Sequence, residues 1–195
     1  MIKQFGDYDK TQAYGDFPTL PKDGYVMKIM GVKSATNSNG KYLIIGCDVA
    51  EGDYKDFYTK QYTNDKREDK KWGCNFLLSI PKDDGTEQDG WTKRSFKTFT
   101  EALEESNEGY HFDWDETKFK GKLIGGLFHY QQYQKNDGSV GTSTRLKNVC
   151  SVQKIRERSF KLPDDKLLSA PAAASTGNSD FMNIPDNISE ELPFN

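Results

Sequence analysis

Tyr25-Val26-Met27-Lys28-Ile29-Met30-Gly31-Val32, then Asn37-Ser38-Asn39-Gly40, then Lys41-Tyr42-Leu43-Ile44-Ile45-Gly46-Cys47-Asp48-Val49-Ala50, is the stretch that decides the fold class. The first run is short and largely apolar. Asn39-Gly40 is a strong hairpin signal, because both residue types tolerate the backbone angles of a tight turn. In the second run Leu43, Ile45, Cys47 and Val49 fall on one face of a strand. Tyr42, Ile44, Gly46 and Asp48 fall on the other. The body of the chain therefore begins with an antiparallel hairpin.

Further along, Glu51-Gly52-Asp53 breaks the second strand, and Phe57-Tyr58-Thr59-Lys60-Gln61-Tyr62 reads as a third. A charged loop, Asn64 to Lys71, leads to Trp72. Residues 74–80 are apolar but too short to classify by period, and Pro81 to Gly90 read as loop. Phe96, Phe99 and Leu103 repeat at helical spacing and predict a helix over about 92–107. Two further strands are expected over about 121–134 and 142–155, joined by the turn Asn136-Asp137-Gly138. Three strands, a helix and two strands are the element order of the OB-fold. The expected fold is therefore mainly β: a five-stranded OB-fold barrel with one helix between strands 3 and 4.

Around this domain, residues 24–163, lie two segments of different character. Residues 1–23 form an arm with scattered aromatics (Phe5, Tyr8, Tyr14, Phe17) and two prolines. Residues 164–195 read as a flexible tail. From Ser169 onward that tail has few bulky side chains, too few to offset the entropy of ordering it.

Net charge is −3, with 30 acidic residues against 27 Lys and Arg. Residues 169–195 hold Asp180, Asp186, Glu190 and Glu191 and no base, so the remainder carries 26 acids against 27 bases. A nearly neutral body can carry a basic face, so the charge balance permits a polyanionic ligand. Mean hydropathy is low, −0.85, while aromatics reach 13%. No run approaches membrane-spanning length. Cys47, Cys74 and Cys150 are far apart and lack metal-ligand spacing, as expected of free thiols in a reducing cytoplasm.

Binding a single nucleic-acid strand requires aromatic platforms for bases and cations for the phosphates between them. If Phe57–Tyr62 is a strand, Tyr58, Lys60 and Tyr62 share its outward face. Tyr42 on the neighbouring strand extends that platform. Arg145 and Lys147 alternate on the last strand. Lys55, Lys70, Lys71 and Trp72 lie in flanking loops able to clamp the ligand.

Asp48-Val49-Ala50-Glu51-Gly52, Phe57-Tyr58, Glu104-Glu105-Ser106-Asn107 with Gly109-Tyr110, Trp114-Asp115, Gly121-Lys122-Leu123-Ile124-Gly125 and Phe160-Lys161-Leu162-Pro163 carry a resemblance. Through these scattered pieces the body resembles a family of single-stranded DNA-binding proteins from phages and mobile elements of Gram-positive bacteria. The tip Glu190-Glu191-Leu192-Pro193-Phe194 is similar to the acidic ending of bacterial single-stranded DNA-binding proteins. There the phenylalanine is the last residue, whereas Asn195 follows here. The resemblance implies single-stranded DNA as ligand, replication or recombination proteins as partners of the tip, and a cytoplasmic location, that of the host bacterium if phage-encoded.

Two other readings compete. The body could be a protein-interaction adaptor, or Asp113, Asp115 and Glu116 near His111 could form a metal-dependent nuclease site. Three acids within four residues more often make a solvated loop, so the expectation is a non-enzymatic protein without cofactor or metal. His129, in an apolar strand, is expected to be a hydrogen-bonded structural histidine. Oligomeric state is not fixed by any sequence feature, and a homo-oligomer is admissible.

Overall fold

The computed structural model describes Gly6 and residues 19–168. The tip residues Glu190, Glu191, Leu192, Pro193 and Phe194 lie outside the described residues, as does most of the N-terminal arm. The elements are β1 (Gly24–Asn37), β2 (Gly40–Val49), α1 (Phe57–Asn64), β3 (Asn75–Ser79), α2 (Glu87–Ser106), a 3₁₀ turn (Glu116–Phe119), β4 (Leu123–Gln134), β5 (Val140–Cys150) and α3 (Val152–Arg156). The five strands form one antiparallel sheet in the order β3-β2-β1-β4-β5, not hydrogen-bonded into a closed barrel.

The β1–β2 hairpin forms where its sequence predicts. Asn37 pairs with Gly40, whose φ of 129° suits glycine alone, and the Asn37 side chain accepts the N–H of Asn39. The second predicted hairpin also forms. Gly138 has φ 81°, and Asp137 accepts the N–H of Ser139. A register shift between Ile29 and Gly31 bulges β1 at Met30. Before the bulge β1 pairs with both β4 and β2; beyond it, with β2 only.

The inner face buries Met27, Ile29, Leu43, Ile45, Cys47, Val49, Leu78, Ile124 and Phe128 against Phe99 and Leu103 of α2 and against Phe119. Alternation in β2 holds as read: Leu43, Ile45, Cys47 and Val49 are all buried. Thr86 caps α2 by accepting the N–H of Asp89, and the Asp89 carboxylate accepts the N–H groups of Lys82 and Asp83. The helix therefore starts five residues before the predicted boundary. Its first turn carries Glu87 and Asp89, favourably placed for the helix dipole.

Two expectations fail. Residues 57–62 are helix, not strand. The cause is Asp48 of β2, buried, whose carboxylate accepts the N–H groups of Tyr58 and Thr59, each at 2.9 Å, and the Thr59 hydroxyl. These donors belong to the first turn of α1, whose own N-cap Asp56 makes no side-chain cap bond. A tertiary partner thus overrides the strand propensity of Phe57, Tyr58 and Tyr62. The third strand is instead the apolar run at 75–79. The last strand also ends earlier, at Cys150. Val152 donates its N–H to the Ser106 hydroxyl, and α3 turns back over the sheet.

The outer face of the sheet is divided. Over β1 and β4, a second apolar cluster of Val26, Leu127, Val152 and Ile155 is covered by α3, with Phe160 against it. Beyond α3, Lys166 accepts the N–H of Gln132 and donates to the carbonyl of Tyr130, forming a parallel bridge to β4. Residues 164–168 are thereby strapped to the sheet, with Lys22 and Asp165 paired at 2.7 Å. Among the described residues, the outer face of distal β1, β2 and β3 carries no such layer.

Candidate nucleic-acid interface

Strand register places three rows across that uncovered face. Lys33, Ile44 and Leu77 make one; Ala35, Tyr42 and Ser79 another; Gly31, Gly46 and Asn75 the third. Leu77 is 62% exposed, unusual for a leucine on a regular strand. Lys33 is exposed, and Tyr42 and Ile44 are half-buried.

One end of the face is closed by Trp72. Its indole lies over Gly46, where an added Cβ would sit 3.6 Å from Trp72 Cδ1, and its Nε1–H donates to the Cys47 carbonyl at 2.9 Å. Tyr62 packs against Trp72 at 5.6 Å between ring centroids, and Lys70 Nζ lies 4.6 Å from the Tyr62 ring centre. Tyr42 is four residues from Gly46 along β2, about 14 Å at the rise of a strand. Two aromatic positions therefore flank the apolar pair Ile44 and Leu77, with Lys33 alongside.

Tyr42, Tyr62, Lys70 and Trp72 are thus brought to one face, and the exposed Lys71 adjoins Trp72. The alternating strand set is not. In α1, Tyr58 and Tyr62 are one turn apart while Lys60 points away. Tyr58 is 5% exposed and packs in the core against Cys74, so it offers no stacking surface. Burial first, and the Cys74 thiol second, push its hydroxyl far above the ordinary tyrosine range; Arg145 opposes. Lys60 donates to the Lys55 carbonyl. Lys55 lines a separate pocket of about 410 Å³ with Lys28 and Glu51.

Arg145 and Lys147 lie on β5, at the opposite edge of the hydrogen-bonded order from β3. Arg145 is exposed, and its Nε donates to the Ser143 hydroxyl at 3.3 Å. Its charge is nevertheless felt at Tyr58 and at Cys74 beside β3. Lys147 sits at a bulge and is exposed. Lys33, Ile44 and Leu77 were missed as site residues. Leu77 had no legible strand, and Lys33 lies beyond the apolar run that marks β1.

No family model and no curated protein matches this chain.

The acidic loop has its own internal partners. Asp113 pairs with Lys118, and Asp115 caps the 3₁₀ turn by accepting the N–H and hydroxyl of Thr117. Among the described residues no group of three or more His, Cys, Asp or Glu side chains could hold a metal ion. His129 is buried, its Nδ1 2.9 Å from the Asp164 carbonyl, so it serves the strap. No helix among the described residues is long and apolar enough to cross a membrane.

Proposed function

We propose that this chain binds single-stranded DNA without sequence preference, through the uncovered face of β1, β2 and β3. The observation that carries this reading is the pairing of an exposed apolar and aromatic strip with cations on a part of the sheet that no helix or strap covers among the described residues. Bases stack on Tyr42 and against the Tyr62–Trp72 pair, Leu77 and Ile44 contact base faces between them, and Lys33 and Lys70 meet phosphates. Each stacked base contributes about 1–3 kcal/mol.

The finer fold reading is an OB-fold. Its support is the strand order β3-β2-β1-β4-β5, which becomes a five-stranded barrel when β3 meets β5, together with the approach of those two strands to within 8 Å between Cα atoms. In OB-folds the face of strands 2 and 3 and the loops after strands 1 and 4 hold oligonucleotides. The tail sequence supports a second role, in which Leu192-Pro193-Phe194 and Glu190-Glu191 recruit replication or recombination proteins. The protein is then a non-catalytic cytoplasmic component of DNA metabolism, of the class its sequence resembles.

Titrating the protein with oligo-dT at several salt concentrations, read by tryptophan fluorescence, tests this. Binding that weakens steeply with salt, and much weaker binding of duplex, is the expected result. Absence of binding at low salt would overturn it in favour of a protein-interaction adaptor.

A further inference from the structure

Beside the uncovered face runs a groove of about 1010 Å³ between the β1–β2 hairpin and the first turns of α2. Tyr42 and Leu77 belong both to the sheet face and to this groove, so the two surfaces are continuous. On its far wall stand Gln88 and Thr92 of α2. Trp91 does not line the groove; it follows Gln88 by three residues and is that residue's neighbour on the helix surface, at the groove's rim.

Trp91 is 58% exposed. Arg94 Cζ lies 5.2 Å from its ring centre, so the guanidinium covers part of the indole. An exposed tryptophan held beside a guanidinium gives a base a stacking surface and its phosphate a cation.

The charges of the groove are unequal in what they leave free. Asp84 accepts from the N–H and hydroxyl of Thr86. Asp89 is buried, accepts two N–H groups, and lies 3.0 Å from Lys93 Nζ. In contrast, Lys41 and Lys82 of the lining have no carboxylate within 4.0 Å among the described residues, and neither does Arg94, which stands outside the lining beside Trp91. Both Asp84 hydrogen bonds fall on Oδ1, which leaves one open carboxylate oxygen in the lining against two open cations, a balance that favours a polyanion.

We propose that the groove between the β1–β2 hairpin and α2 carries the single strand beyond the sheet face, with a base stacked on Trp91 and phosphates met by Lys82 and Arg94. This inference rests on the single-strand-binding reading above. It adds a second stacking station outside the sheet.

The test uses the full chain and two dT oligomers, of about 4 and about 12 nucleotides, within the span of about 4–16 covered by one such fold. Trp91→Ala is expected to bind the shorter oligomer like the parent and to lose about 5- to 100-fold on the longer. Trp91→Phe, which keeps a ring, restores most of that loss. Lys82→Ala lowers the salt dependence for the longer oligomer alone, by about 0.7 in the log–log slope. If the parent binds both oligomers and Trp91→Ala does too, undiminished, the extension is wrong while the sheet-face reading stands. Equal losses on both lengths also overturn it. If the parent binds neither, both readings fall together.

Discussion

The Asp48 carboxylate of β2 accepts the backbone N–H of Tyr58 at 2.9 Å, ten residues away in sequence. It is the cap that α1 does not find in its own N-cap residue. Removing it strands the first-turn donors of a helix packed on the sheet. Asp48→Ala is expected to lower stability by about 2–4 kcal/mol. Urea unfolding measures this as a lower midpoint with an unchanged slope. An unshifted midpoint would show that water replaces the carboxylate freely.

Tyr42 and Lys60 separate the uncovered face from the abandoned strand set. Tyr42→Ala should weaken oligo-dT binding by about 5- to 100-fold, the loss of one stacked base. Lys60→Ala should leave affinity within about twofold, since Lys60 lies on the side of α1 away from Trp72. Equal effects of the two substitutions would place the ligand elsewhere. Thermal midpoints of both variants control for unfolding.

The sequence made some of this arrangement legible, and the reasons are local. Asn39-Gly40 and Asp137-Gly138 announced their hairpins because tight turns have residue requirements that neighbours rarely override. Alternation in β2 was readable because one face meets a core and the other does not. Residues 57–62 were misread because Tyr58 and Tyr62 suit a strand and a helix equally at that spacing. What decides between them is Asp48, and its contact is tertiary. For the site, Trp72 and Lys70 were legible as loop residues near aromatics. Leu77 was not, since a five-residue apolar run has no period.

Cysteine reactivity gives a third expectation. Burial pushes the Cys47 thiol up to about 12, with the neighbouring Asp48 charge adding to it. Burial also raises Cys74, aided by Cys47, and raises half-buried Cys150 against the opposing charge of Lys154. The thiolate is the reactive form, so a disulfide reagent at neutral pH should modify Cys150 first. Cys47 and Cys74 should react only as the protein unfolds. Rapid modification of all three in the native protein would contradict this core.

Acid should release the strap before the sheet. A hydrogen bond from Lys22, then the N–H of Tyr130, holds the Asp165 carboxyl below the ordinary aspartate range. A depressed carboxyl contributes fully above its unfolded value, about 3.9, and loses that contribution as pH falls through the folded value. Amide exchange at Gln132 and Lys166 should therefore quicken below about pH 4 while the β1–β2 amides stay protected. Simultaneous loss would mean that strap and sheet open as one unit.

The strap has a consequence for solubility. Beyond Leu127, the side of β4 that faces away from β5 has no strand of β1 beside it, and residues 164–168 occupy part of that vacant ladder. A bare ladder of this kind recruits strands from other molecules. A chain cut after Pro163 would expose Tyr130 and Gln132 along an unprotected rim and invite self-association, whereas one cut after Leu168 keeps its rim sealed. The five residues after Pro163 thus guard the molecule against its own copies.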